Sequence, residues 1–200
     1  MVQEDDRTLL GQWRAGNADA GNALFRRHFA SVRRFFRNKV SPDDVEDLIQ
    51  RTFVGCVESQ ERFREDASFR TFLFAIARNQ LFKFFRSRTS QRNLLDEDLG
   101  VSSVAAMGMT PSSIVAARQE HELLLLALQQ VSVDEQTLLE LFYWEALSGP
   151  EIAVVLQITA GAVRVRLHRA RGKLQEAIER LMAPGQDFDL DAAAGTLRGL

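Results

Sequence analysis

The sequence predicts an all-α fold of two small helical domains joined by a flexible linker. Three observations carry that expectation. Apolar residues recur at spacings of three and four along most of the chain, as one buried face of a helix requires. No segment alternates apolar and polar residues as a half-buried strand does. From Ser87 to Ser113 the periodicity stops and the chain is rich in Ser, with Gly, Met and Pro111, which is the composition of a linker. The expected boundaries are a first domain over residues 1–88, a linker over 89–113, a second domain over 114–183 and a mobile tail over 184–200.

The first domain opens with Leu9, Leu10 and Trp13 on one helix. A turn at Asn17–Asp19 leads to a second helix with Ala20, Leu24, Phe25, His28, Phe29, Val32, Phe35 and Phe36 as its apolar stripe. Ser41 is expected to cap a third helix, and Pro42 suits its first position. Asp43, Asp44, Glu46 and Asp47 crowd its first turns, where the helix dipole favours negative charge. Leu48, Ile49, Thr52, Phe53, Cys56 and Val57 supply its apolar side. A polar stretch from Glu58 to Ser68 precedes an apolar helix studded with basic residues, Phe69 to Phe85.

In the second domain one helix runs from about Ile114 through Leu123, Leu124, Ala127 and Leu128, and another starts at Asp134 with Leu138, Leu139, Leu141 and Phe142 inside. Ser148 and Glu151 have capping-box spacing ahead of a short helix carrying Ile152, Ala153, Val155 and Leu156. Gln157-Ile158 forms a tight turn, and Thr159 caps the next helix, whose buried stripe is Ala162, Val163, Leu167 and Ala170. Arg164, Val165, His168, Arg169 and Arg171 point largely elsewhere. This is the helix-turn-helix pattern, in which one helix braces and the next enters the major groove.

The 200 residues hold 25 Lys+Arg and 27 Asp+Glu, a net charge of −2 that by itself argues against a nucleic-acid partner. The charge is segregated, however. Ala67–Leu95 contains Arg70, Arg78, Lys83, Arg86, Arg88 and Arg92 with no acid, and Thr159–Gln175 contains Arg164, Arg166, Arg169, Arg171 and Lys173 with none. Local patches, not the total, set the potential that a phosphate backbone meets. The first patch is interleaved with Phe69, Phe72, Phe74, Phe82, Phe84 and Phe85, too many aromatics for one buried stripe. Two readings stay open there: exposed rings that stack on unpaired bases, or a helix packed on two sides.

Three segments together resemble a bacterial RNA polymerase sigma factor of the extracytoplasmic-function group. DDVEDLIQRTF is similar to the acidic region 2 helix of that family. FREDASFRTFLFAIARNQL is similar to its promoter-melting segment, and SGPEIAVVLQITAGAVRVRLHRAR to its region 4 helix-turn-helix. Their order and separation make the resemblance specific, and it spans about residues 5–183.

The resemblance implies a cytoplasmic transcription initiation factor that is not itself an enzyme, with no cofactor and no metal. It implies three partners: core RNA polymerase (through the β′ clamp coiled coil and the β flap), promoter DNA, and an anti-sigma factor able to hold the chain near a membrane. Asp44, Asp47, Leu48, Gln50 and Phe53 match clamp-docking positions. Asp66, Ala67 and Ser68 match the loop that captures a flipped base of the −10 element, and Arg70, Thr71, Phe72, Arg78, Asn79 and Lys83 match the helix below it. Arg164, Val165, His168 and Arg169 match readers of the −35 element, with Arg166 and Arg171 on phosphates.

The chain departs from the family pattern in places. Arg51 stands where an acid is usual, Phe72 where Trp is common, Ala75 where Arg is frequent and Val165 where Ser is common. Gly149-Pro150 replaces bulkier residues at a helix start.

Other chemistry has little support in the sequence. His28, His121 and His168 are isolated, and one cysteine provides neither a disulfide nor a cysteine zinc site. No apolar run approaches the roughly 20 residues of a membrane span. The alternative function is a sigma-like mimic that sequesters an anti-sigma factor without binding DNA. The basic recognition helix, which a mimic does not need, argues against it.

Overall fold

The computed structural model describes residues 5–60, 68–92, 116–182, 188–190 and 193, and among them it contains eight α-helices and no strand. They are α1 (Asp6–Arg14), α2 (Ala18–Arg37), α3 (Pro42–Ser59), α4 (Phe69–Arg92), α5 (Ala116–Leu128), α6 (Val133–Tyr143), α7 (Gly149–Leu156) and α8 (Ala160–Leu181). Contacts divide the chain into two units, one carrying α1–α4 and the other α5, α6, the start of α7, and α8. The expected linker begins four residues late, because Thr89–Arg92 continue α4. Its remainder, 93–113, lies outside the described residues.

In the first unit α1 packs on α2 and α4, and α3 packs on α2 and α4. Asp5 caps α1 by accepting the Thr8 N–H at 2.7 Å. Asn17, read from sequence only as part of a turn, is the cap of α2, its carbonyl accepting from Asp19 and Ala20. Ser41 does occupy the N-cap of α3, but its hydroxyl donates to the Asp44 carboxylate instead of accepting from the backbone. Leu24, Val32, Phe36, Leu48, Cys56, Leu73, Phe74, Ala77 and Leu81 are all but sealed from solvent and form the core.

A polar tie holds α1 to α2. The Asp6 carboxylate pairs with Arg27 and lies 2.6 Å from His28 Nε2. His28 is buried against the Phe69 ring, 5.4 Å between centroids, so it is a core residue and not a ligand. Burial pushes its pKa down, Asp6 pulls partly against that, and Arg70 and Arg27 add to the lowering. Nearby, Trp13 sits edge-on to Phe25 and to Phe69. It fits only because residue 21 is Gly: a Cβ there would meet Trp13 Cδ1 and Nε1 at 2.6 Å.

In the second unit α5 and α6 both pack on α8. α6 starts one residue earlier than expected because Ser132 and Glu135 form a complete capping box. Residues 188–190 and 193 are the described part of the expected tail. Leu190 and Ala193 are buried, and Leu190 closes an apolar seat with Leu124, Leu128, Leu139, Trp144 and Leu174. The apolar character of Leu190 outweighs the Gly- and Asp-rich composition around it, since burying a leucine side chain is worth about 1.5–3 kcal/mol.

Three measurements check this packing. Alanine is the better helix former by about 1 kcal/mol, but overpacking a tight contact costs about 1–3 kcal/mol. Gly21→Ala is therefore expected to lower the unfolding free energy, and an unchanged denaturation midpoint would show that Trp13 is not pinned. Leu190→Ala is expected to destabilise the second unit by about 2–5 kcal/mol if its seat stays open, read as earlier melting in hydrogen exchange of α5 and α8. The depressed pKa of His28 also has a pH signature. Below the ordinary imidazole value of 6.5 the unfolded chain takes up a proton that the buried ring resists. Stability is thus complete above that value and falls as pH drops below it, and His28→Gln should flatten the loss below pH 6.5.

Candidate nucleic-acid interface

Two cationic helices, α4 and α8, and one acidic helix, α3, carry the sequence-expected site residues. Each buries one stripe and exposes most of its charged residues.

On α4 the buried stripe is Phe69, Leu73, Ala77 and Leu81, spaced by four, with Phe74 beside it. Phe72, Phe82, Phe84 and Phe85 are only partly covered. Phe72, Asn79, Lys83 and Arg86 follow one another at spacings of seven, four and three, so they share the outward face, where the last three are exposed. Arg78 is half-buried, its guanidinium 4.5 Å from the Phe82 centroid, and Arg88 lies 4.6 Å from that of Phe84. Stacking of this kind holds cations near aromatic faces. Arg70 is half-buried.

Ser68 is exposed at the start of the helix, and its hydroxyl accepts the Thr71 N–H at 3.1 Å. Thr71 is a correction to the expected contact set: it is fully buried, with its hydroxyl 2.8 Å from that of Ser68, so it braces the helix start and offers nothing to a ligand. Asp66 and Ala67 lie outside the described residues.

On α8, Thr159 caps the helix by accepting the Ala162 N–H at 3.2 Å. The preceding turn is closed by Ile158 N–H to Ala153 O at 3.0 Å and Gln157 N–H to Val154 O at 3.3 Å. This is a Schellman closure, with Gln157 left-handed at φ 57° where glycine is the usual occupant. At the other end of α7, the Ser148 N–H donates to Glu151 Oε2 at 2.9 Å, as the capping-box spacing predicts. Val163, Ala170, Leu174, Ala177 and Ile178 bury α8, while Ala162 and Leu167 of the expected stripe are half-buried.

Arg164, Val165, Arg166, His168 and Arg169 are all exposed, Val165 at 51%. The basic window is nevertheless not wholly available. Arg171 is half-buried, 5.6 Å from the Tyr143 centroid, and Lys173 donates to Glu135 Oε1 at 2.6 Å. Bonds from Lys173 and Ser132 hold the Glu135 pKa below the usual carboxylate range against a partial desolvation.

On α3, Asp47 and Gln50 are exposed and Asp44 is half-buried. Leu48 is a second correction: it is fully buried in the core, so it fixes the helix and cannot touch a partner. Phe53 is half-buried, stacked on Phe25 at 4.8 Å with Phe29 behind it at 6.4 Å. Cys56 is buried, and desolvation pushes its thiol up to about 12, which removes thiolate reactivity.

The sequence placed Phe29 and Val57 on buried stripes, but they are 41% and 49% exposed, and Val54 matches Val57 at 49%. Asp47, Gln50, Val54 and Val57 run at spacings of three, four and three. The outward face of α3 is therefore acidic at its start and apolar at its end, and that spacing was the signal available in the sequence. Phe25, Phe29 and Phe53, with Asn22 and Arg26, line an open groove beside it.

Comparison with known proteins places both helical units. A family model described as Sigma-70 region 2 matches residues 24–91, and one described as Sigma-70, region 4 matches residues 121–174. RNA polymerase sigma factor CnrH of Cupriavidus metallidurans is 32% identical over 186 residues, covering 90% of this chain and 97% of that protein. The ECF RNA polymerase sigma-E factor of Haemophilus influenzae is 27% identical, covering 90% and 98%. Among solved structures, CnrH in complex with the cytosolic domain of CnrY superposes with a TM-score of 0.64 at 27% identity, covering 88% of this chain and 97% of that one. The sigma factor RpoE in complex with the anti-sigma factor NepR from Bartonella quintana gives 0.60 at 25% identity, covering 75% and 91%.

Proposed function

The chain belongs to the extracytoplasmic-function sigma factors of RNA polymerase, and from that premise we propose that it binds core polymerase through α3, reads a −35 element with α8 and traps unpaired −10 bases with α4 and the loop before it. The observation that carries this reading is the capped helix-turn-helix whose second helix turns Arg164, Val165, Arg166, His168 and Arg169 to solvent together.

Arg164 and Arg169 reach base edges in this reading, because a guanidinium can donate twice to guanine O6 and N7. Exposed Val165 suits a thymine methyl, and Arg166 and Arg171 suit phosphates, with Arg171 first leaving Tyr143. On α4, Phe72 provides a stacking face, while Arg70, Arg78, Asn79 and Lys83 line the path of the strand. Asp66 and Ala67, which lie outside the described residues, and Ser68 are assigned to the extruded base. Contacts to the extruded bases offset an unstacking cost of about a few kcal/mol per step.

The acids of α3 and the neighbouring Val54, Val57 and Phe53 suit a polymerase surface that is basic on one side and apolar on the other. Polymerase carries the catalysis, so the chain acts as an initiation subunit. An anti-sigma factor is the expected inhibitory partner, since the two solved relatives above are complexes, one with the cytosolic domain of CnrY and one with the anti-sigma factor NepR. Among the described residues no helix is long and apolar enough to cross a membrane.

Run-off transcription with core polymerase on a promoter library tests the reading. Wild type is expected to give promoter-selective transcripts. Arg169→Ala should weaken promoter binding by about 1–3 kcal/mol with core affinity unchanged. Asp47→Ala should weaken core binding and leave −35 binding by the isolated chain as it was. Absence of any selective transcript, with an anti-sigma factor still bound, would favour the mimic.

A further inference from the structure

The two acids on α3 assigned to polymerase are already engaged within the first unit. Arg51 forks onto Asp47, with Nε to Oδ1 at 2.9 Å and Nη2 to Oδ2 at 2.8 Å. Arg88, reaching from α4, lies 3.0 Å from Asp44 Oδ2 and 3.3 Å from Oδ1, and the Ser41 hydroxyl donates to the same carboxylate. Both arginines are more than half exposed, so neither pair is a requirement of the core. Such pairs contribute little to folding, typically well under the strength of a buried contact. Their geometry has a different consequence. Two parallel N–H···O bonds at Asp47, and a single Arg88 Nη2 shared between both oxygens of Asp44, occupy the carboxylate oxygens that a basic partner would need.

We propose that Arg51 and Arg88 are internal counter-ions of the α3 acidic face, competing with the basic side chains of core polymerase for Asp47 and Asp44 and thereby setting the affinity of the factor for the core. The proposal rests on the reading of α3 as the polymerase-facing helix.

The competition is local and electrostatic. A polymerase cation that approaches Asp47 must either displace the Arg51 guanidinium or share the carboxylate with a like charge. Arg51 therefore lowers the gain from Asp47 without touching the partner through a favourable contact. Arg88 does the same at Asp44, and its release there returns one cation to α4, the helix assigned to single-stranded DNA. Association with the core is thus expected to free a positive charge on the DNA-facing helix. Arg51 and Arg88 are positioning residues in this scheme, since both act through the acid they hold.

The test is a fluorescence titration of the labelled full-length chain with core polymerase in the absence of DNA. Arg51→Gln removes the charge and keeps the reach, and it is expected to tighten core binding about two- to five-fold at low salt. Arg88→Gln should act in the same direction. Arg51→Lys restores a cation and should bring the affinity back towards wild type. The gain from Arg51→Gln should shrink as salt rises, because exposed charges are screened beyond a Debye length of about 8 Å at physiological ionic strength. It should also vanish in an Asp47→Ala background, with the melting midpoint unchanged throughout.

If Asp47→Ala weakens core binding while Arg51→Gln leaves it unchanged or weaker, the counter-ion proposal is overturned and the α3 assignment stands. If Asp47→Ala leaves core binding untouched, the α3 assignment itself falls, and the proposal with it.

Discussion

The burial of one stripe of α4 is the constraint on which the first unit depends. Phe69, Leu73, Ala77 and Leu81 are sealed from solvent, and both α2 and α3 pack against this helix. A helix with one stripe fixed in a core has no freedom left to rotate, because turning it would expose four apolar side chains. The outward directions of Phe72, Asn79, Lys83 and Arg86 follow from that fixed register. The stripe also receives α1 and α2 directly, since the Phe69 ring meets both Trp13 and His28. The same helix is thus a structural beam on one face and a cationic aromatic surface on the other. The division explains why its sequence looks apolar and basic at once.

The second unit repeats this logic with a different stripe. Val163, Ala170, Leu174, Ala177 and Ile178 hold α8 in place, and Thr159 and the left-handed Gln157 fix where it begins. A recognition helix must start at a defined residue, because a shift of one position rotates every side chain by about 100°. The polar caps therefore set which side chains of α8 face solvent. Leu190 adds apolar cover to the core of this unit, so part of the terminal segment belongs to the domain it follows.

Charge is handled by pairing more than by position along the chain. The sum of −2 conceals two acid-free windows, Ala67–Leu95 and Thr159–Gln175. The windows in turn did not show which cations are already engaged by a neighbour. Lys173 is bound by Glu135, Arg171 stacks on Tyr143, and Arg88 is held by Asp44. The acids of α3 were similarly overstated, because Asp44 and Asp47 have counter-ions of their own. A surface read from sequence as fully charged is, after folding, partly paired.

The sequence by itself determined the all-α class, the caps at Thr159 and Glu151, the helix-turn-helix, the basic windows and the family. Each of these is a local pattern or a match at fixed spacing, and neither needs knowledge of distant residues. The tertiary structure alone decided the rest. It buried Thr71 and Leu48, turned Phe29 and Val57 outward, placed Leu190 in an apolar seat, and joined Arg88 to Asp44 across 44 residues. Periodicity shows that a helix has an apolar face, but not how wide a sector its neighbours will cover. Composition shows that a charge exists, but not which opposite charge the fold brings within 3.0 Å of it. Those outcomes are set by packing between elements far apart in the chain, where no local pattern records them.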